Sequence, residues 1–352
     1  MASSRAESQG SKKVAIVFVQ LGENPSPTLI SSAKYAQITN PNSRLILITD
    51  QEKTWKAFPG EIISAGNSSK KQSKHIVRKA KYLRSIAGGY WVNTYERIFA
   101  LSLLDKILDL DTFIVHIESD VLIQSETILK NALQDIKLQG IGVPRMNKEQ
   151  GIASILVSPS YVELNKALSK LEKLATEFPD SCSTDMNLLG LALNSGIISE
   201  LPVWKNQSEG VEEPHEYFFF EGAAVGQYLF GLDPIHTSNT RVSGYLNPEF
   251  PINLSSLRWA TEGNSVYAYN GQERYWFTNL HIHSKEILPT PLESPKRWSI
   301  AISEANLEIP RTPTPNIPEV IHSSGYSLLA KLEIFVREKS KSMASLFRKK
   351  NS

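Results

Sequence analysis

Two carboxylates one residue apart, Glu118 and Asp120, close the apolar run TFIVHI and are followed at once by a second apolar patch, VLI. Removing ionised carboxylates from water is costly unless something pairs with them, so acids at the tip of a buried strand call for a cation. In an open α/β sheet, ligands collect outside the carboxyl ends of the strands. An acid, a small residue and a second acid placed there offer hard oxygen donors suited to Mg2+ or Mn2+, and a divalent ion in such a crevice commonly meets a diphosphate. The plainer alternative is that both acids cap the next turn. Late in the chain, NLHIHSK places His281, His283 and Lys285 at alternate positions, hence on one face of an extended segment. Imidazole is an acceptable further ligand for Mn2+, and an ammonium group can reach a diphosphate as a point charge. Hydrogen-bonded structural histidines are the alternative here.

Three more residues belong to this group of candidates. Arg97 lies in a helical pattern just ahead of the acidic strand, where it can bind an anion or pair with a neighbouring acid. Asp185, in STDMNLLG, falls in a first helical turn, a place where an acid also complements the helix dipole. Glu221 precedes Gly222-Ala223-Ala224, small residues that allow a backbone to come close to a ligand.

The elements that must hold these groups alternate between strand and helix. Residues 14–21 form a continuous apolar strand, 27–40 a short helix and 44–50 a second strand ending in an acid, which together make a βαβ unit. Residues 61–66 read as a third strand, 68–86 as a basic helix with a solvated face, and 93–110 as an amphipathic helix with Asn93 and Glu96 as its capping pair. Beyond the acidic strand come a helix near 125–138, strands over 140–145 and 151–158, and a long helix from Tyr161 to Glu177. After Pro202 the aromatic, Gly/Pro/Asn-rich texture suggests loops and short elements over a binding face. The expected class is α/β.

With 352 residues the chain can bury one large core or two smaller ones. A net charge of +2 with no long basic stripe in the folded part argues against general nucleic-acid binding. The single cysteine, Cys182, excludes an internal disulfide and suits a reducing compartment. No signal-like leader and no apolar run of spanning length is found, so a cytoplasmic location is expected. Residues 1–12 read as a disordered lead-in, 13–305 as the catalytic domain, 306–318 as a Pro-rich linker and 319–352 as a basic amphipathic tail. Such a tail can lie on an anionic membrane surface or dock on the domain with a frayed end.

Five stretches in fixed order, WVNTYERIFAL, HIESDVLI, STDMNLLGLALN, FFFEGAAVGQYLFGLDP and TNLHIHSK, resemble nucleotide-sugar-dependent glycosyltransferases of the GT-A type. From about Lys13 to Lys285 the chain is similar to the glycogenin and bacterial galactosyltransferase group, and to bacterial enzymes with a C-terminal His-Ser-Lys signature. The resemblance implies a Rossmann-like GT-A fold with a mixed central sheet and helices on both faces. It implies hexosyl transfer from a nucleoside-diphosphate sugar, UDP-sugar favoured, to a glycan or lipid-linked acceptor, with Mn2+ or Mg2+ as cofactor. Asp120 and a late histidine would hold the ion, His283 ahead of His281, with Glu118 on the ion, a metal-bound water or the donor ribose. Lys285 would touch the diphosphate and Arg97 the nucleotide; Asp185 would lie beneath the transferred sugar, and Glu221 would face sugar or acceptor hydroxyls. Two departures stand out: Glu221 replaces an Asp of the relatives, and Ala153-Ser154 lies where they carry Asn-Ser-Gly. Two other functions fit parts of the pattern. A nucleotidyltransferase would show a Gly-rich basic loop after the first strand, and QLGENPSPTL has one glycine and no base. A silent binding domain would have lost Asp120 or both late histidines.

Overall fold

The computed structural model describes residues 13–22, 26–66, 90–179, 181–182, 184–204, 215–231, 253–285 and 290–306. The first strand, β1 (Lys13–Gln20), is buried continuously over Val14–Phe18 because it lies in the middle of the main sheet with both faces covered. Helix α1 (Leu29–Thr39) returns the chain to β2 (Arg44–Thr49), which pairs parallel to β1, and β3 (Glu61–Ser64) adds a parallel edge strand. Helix α2 (Tyr90–Ala100) and a 3-10 segment, Leu101–Lys106, then deliver the chain to β4 (Thr112–Ile117) on the other side of β1, again parallel. The strand order therefore reverses between β1 and β4. In sheets of this kind, ligands bind outside the carboxyl ends of the strands at such a reversal.

Past β4 the sheet becomes antiparallel. Strand β5 (Val121–Ile123) leaves it, helix α3 (Glu126–Asp135) follows, and β6 (Gly142–Asn147), the two-residue β7 (Gln150–Gly151) and β8 (Ile155–Ser158) complete an order of β3-β2-β1-β4-β8-β6-β7. Helices α4 (Tyr161–Glu177) and α5 (Asp185–Asn194) precede β9 (Ser199–Leu201), which pairs parallel to β6. The faces of the sheet are separate cores. Ala15, Val17 and Ile114 pack under α2, α4 and α5 through Tyr95, Ile98, Leu171 and Leu188, whereas Val14, Ile16 and Phe18 pack under α1 and α3 through Leu29, Ala33 and Leu129. Each Val, Leu, Ile or Phe among them, fully buried, contributes roughly 1.5–3 kcal/mol. A mixed central sheet with helices on both faces is the architecture that the resemblance implies.

A second layer is built from residues expected to be mostly loop. Strands β10 (Glu216–Phe219), β11 (Arg258–Glu262), β12 (Ser265–Asn270) and β13 (Glu273–Phe277) form a four-stranded sheet in the order β10-β13-β12-β11. With helix α6 (Ala224–Phe230) and helix α7 (Pro295–Asn306) it encloses a third core around Tyr228, Trp259, Tyr275, Phe277 and Trp298. Strand β14 (Asn279–His281) continues from β13 and pairs antiparallel with β5, which ties this layer to the main sheet.

Several boundaries differ from the sequence reading. The helix expected over 93–110 starts at Tyr90 and tightens to 3-10 after Ala100, so Asn93 lies inside a helical turn and caps nothing. The strand expected over 151–158 is two short pieces, β7 and β8. The basic helix at 68–86, the lead-in, the Pro-rich linker and the basic tail lie outside the described residues.

Candidate functional site

The acidic triplet sits where β4 stops. The Glu118 N–H still bonds the Ser154 carbonyl (3.0 Å) as β4 leaves its neighbour β8, and a turn closed by Val121 N–H to the Glu118 carbonyl (3.2 Å) redirects the chain into β5. On the partner strand, His281 stands opposite Val121, and the Ile282 N–H donates to the Asp120 carbonyl (2.8 Å). That register brings the His281 ring to the carboxylates. Nε2 of His281 lies 3.5 Å from Glu118 Oε2 and 3.5 Å from Asp120 Oδ1. One ligand atom from each of Glu118, Asp120 and His281 falls within 4.8 Å of the others. Donors about 2.1 Å from a shared ion stand at most about 4.2 Å apart, so closing the cluster needs a shift of only a few tenths of an ångström.

The tautomer of His281 fits an ion as well. Its Nδ1 lies 2.9 Å from the Gly222 carbonyl, and a carbonyl can only accept, so Nδ1 carries the hydrogen. The Nε2 position then faces two carboxylates either as an N–H of the imidazolium or as a lone pair on a cation. Metal-binding histidines characteristically fix their other ring nitrogen in this way. Burial alone would lower the His281 pKa, but Asp120, Glu118 and Glu221 outweigh it and hold it up at about 9. Asp120 is the mirror case: burial works against its charge, while His281 and Lys285 keep its carboxyl well below the usual carboxylate range.

Two cations flank the cluster. Lys285 Nζ contacts Asp120 Oδ2 from a side chain 43% exposed, which puts it at the mouth of the site. Strand β14 ends before this residue, and Lys285 takes a left-handed backbone, φ 60°, that side chains rarely adopt. On the inner side, Arg97 from α2 bridges Glu118 Oε1 (2.5 Å) and Asp185 Oδ2 (3.4 Å). Asp185 is the first residue of α5, behind an N-cap in which Thr184 Oγ1 accepts from Asn187 N–H (3.1 Å). Burial raises the Asp185 carboxyl; Arg97 opposes this and Glu118 adds to it. Oppositely charged groups thus alternate from Asp185 through Arg97, Glu118, His281 and Asp120 to Lys285.

Six of the eight sequence candidates come together in this row. Arg97 meets the acids on either side of it, the ion-pair alternative of the sequence reading. His283 is next to the cluster, its ring centroid 4.0 Å from that of His281, but the group that shares one point comprises His281, not His283. The geometry favours His281, the last residue of β14, where the sequence reading had put His283 first. Glu221 does not face an open surface. It is 1% exposed, and its two oxygens accept from Val225 N–H (3.0 Å) and His281 N–H (2.7 Å). Burial pushes its pKa up to about 7 against the pull of His281 and these N–H bonds.

Some contributors were not visible beforehand. Asn279, two residues before His281, pairs with both sides of the Glu221 peptide unit, accepting from its N–H (3.1 Å) and donating to its carbonyl (2.6 Å). His116, also on β4, is fully buried with Nδ1 at 2.9 Å from the Val17 carbonyl. Tyr95, on α2, is core, its hydroxyl bonded to the Cys182 carbonyl. Ser154, in the turn between β7 and β8, donates to the Gly222 carbonyl at 3.0 Å.

No family model and no curated protein matches the chain. Among solved structures it is similar to mouse xyloside xylosyltransferase 1 in its apo form, at 10% identity and a TM-score of 0.37 over 53% of this chain and 84% of that one. It is also similar to the galactosyltransferase LgtC in complex with donor and acceptor sugar analogs, at 14% identity and a TM-score of 0.36 over 53% and 73%. The apo glycosyltransferase GlyE of Streptococcus pneumoniae TIGR4 gives 14% identity and a TM-score of 0.35, over 54% of this chain and 45% of that one. At these scores the likeness carries no argument about activity, which rests on the site's own chemistry.

Proposed function

We propose that the protein is a metal-dependent glycosyltransferase that moves a sugar from a nucleoside-diphosphate sugar to an acceptor hydroxyl. The observation that carries this reading is the convergence of Glu118, Asp120 and His281 at the carboxyl end of β4, beside the reversal in strand order. Asp120, His281 and Glu118 are the residues that would hold Mn2+ or Mg2+, two carboxylates that suit either ion and one imidazole that favours Mn2+. When bound, the ion supplies Lewis-acid stabilisation of the departing diphosphate.

The chain's own residues do the rest. Lys285, at the mouth of the site, is the cation placed to exchange Asp120 for a phosphate oxygen and to offset charge as the bond to the anomeric carbon breaks. Arg97 pairs with Glu118 and Asp185; its positive charge lies between the two carboxylates and orients Glu118 toward the cluster. Asp185 supports the reading as an acid held at the inner end of the row, next to where a transferred sugar would lie. The acceptor would be a glycan or a lipid-linked sugar, and a UDP-sugar is the favoured donor.

The test is a hydrolysis screen of nucleotide sugars with and without Mn2+, since transferases lacking an acceptor slowly pass the sugar to water. One donor should be hydrolysed faster than the others by tenfold or more, and only with the ion. Metal-independent turnover, or none with any donor or acceptor mixture, would overturn the reading.

A further inference from the structure

His281 can serve the cluster only if its ring is held in one place with Nε2 outward, and four separate contacts do this from a single short segment, residues 221–226. The Gly222 carbonyl takes the Nδ1 hydrogen at 2.9 Å, which sets the ring's rotation and tautomer. Glu221 Oε2 takes the His281 N–H at 2.7 Å, which sets the backbone from which the ring projects. Asn279 grips the peptide of Glu221 through both ends of its amide, locking the segment to the strand that carries the histidine. Gly226 completes the approach: a Cβ there would lie 2.0 Å from the His281 carbonyl oxygen, so only glycine lets α6 come this near.

We propose that Glu221 is a positioning residue for His281, a carboxylate chosen because it can accept from two backbone N–H groups at once, and that it touches neither sugar nor acceptor. The inference rests on reading His281 as an ion-facing residue. The chemistry is specific to the acid. One oxygen serves Val225 at the start of α6 and the other serves His281, so both partners are donors. Glutamine offers one acceptor and one NH2 group, and whichever way it is turned an N–H meets an N–H. Asp is one methylene shorter and holds its two oxygens farther back from these N–H groups. The glutamate therefore couples the first turn of α6 to the ring of His281, a coupling an Asp in the same place would not make.

The test compares the full chain with Glu221→Gln, His281→Ala and Asp120→Asn. Mn2+ affinity is measured by calorimetry, and Co2+-loaded protein reports ligand geometry through its visible d–d bands. Losing a group that orients a ligand histidine costs 10–100-fold in metal affinity, so Glu221→Gln should bind Mn2+ about tenfold or more weakly, with altered cobalt bands. Wild-type Mn2+ affinity and cobalt bands in Glu221→Gln, with binding lost in His281→Ala, would overturn the positioning role and leave the metal site standing. Wild-type affinity in all three would overturn the metal reading itself. Should Glu221→Gln fail to fold, proton NMR of the Co2+-loaded wild-type protein decides: a shifted imidazole N–H slow to exchange with water supports the Gly222 contact, and its absence overturns the clamp.

Discussion

At the scale of single residues, the site is a line of charges in which each member stabilises the next. Arg97 illustrates the energetics. Its side chain is 14% exposed, between Glu118 at 20% and Asp185 at 4%, so removing its charge would strand two carboxylates facing each other away from bulk water. Breaking a buried pair by deleting one partner costs 3–5 kcal/mol, and the partial exposure of Glu118 brings the figure for Arg97→Met down to about 3 kcal/mol in urea denaturation at pH 7. The deficit should narrow on acidification. Burial already raises the Asp185 carboxyl, so in the variant it takes up a proton first as pH falls, and the repulsion goes with it. A deficit that stays constant from pH 7 to pH 5 would count against this.

The same scale shows what a sequence can tell about a site. Asp120, Glu118, Arg97, Asp185 and Lys285 were recognisable because charged side chains at the edges of apolar runs need partners, whatever the fold. A choice between His281 and His283 does not follow from their spacing, because the two rings lie side by side, centroids 4.0 Å apart, where the strand ends. Glu221, which the resemblance sets toward sugar or acceptor hydroxyls, is buried, and only the tertiary contact with β14 reveals that its oxygens accept from backbone N–H groups.

Among the elements, α5 carries Asp185 on its first residue, and the placement depends on its cap. Loss of an N-cap hydroxyl costs about 1 kcal/mol, so Thr184→Ala should lower stability by about that amount and shift the melting temperature by a few degrees. An unchanged melting curve would mean that packing of Leu188, Leu189 and Ala192 alone fixes the helix. The βαβ start of the fold was legible, since five consecutive buried apolar residues in β1 can only be a central strand. The four-stranded sheet was not, although its hairpins leave a local trace. Gly263 and Gly271 take φ of 57° and 61° in two-residue connections, Glu262 paired with Ser265 and Asn270 with Glu273, the backbone that tight hairpin turns require. Gly263-Asn264 was the missed signal, hidden among aromatic residues that alternate less clearly than aliphatic ones.

Across the whole molecule, two layers meet along β5 and β14, and the candidate site lies on that seam. Among the described residues no helix is long and apolar enough to cross a membrane. The seam's neighbour His116 gives the fold a pH signature. Burial, with Arg97 nearby, lowers its pKa from 6.5 to about 4, against the bond to Val17. The unfolded chain therefore binds a proton between these values that the folded chain refuses. Stability should be fully present above pH 6.5 and fall as pH drops toward 4, by on the order of 3 kcal/mol from this group. Replacing His116 with Gln should flatten that part of the stability profile; an unchanged acid slope would assign it elsewhere.

The central claim is that Glu118, Asp120 and His281 gather one divalent ion to which a diphosphate then binds. Mn2+ titration followed by electron paramagnetic resonance, with UDP present, tests it directly in the full chain, His283→Ala and Asp120→Asn. One bound ion per chain is expected for the first two, within a few-fold of the same affinity. Asp120→Asn should lose it by a hundredfold or more while keeping its circular dichroism and melting temperature. Equal binding in all three proteins, or loss in His283→Ala with retention in Asp120→Asn, would contradict the site described here.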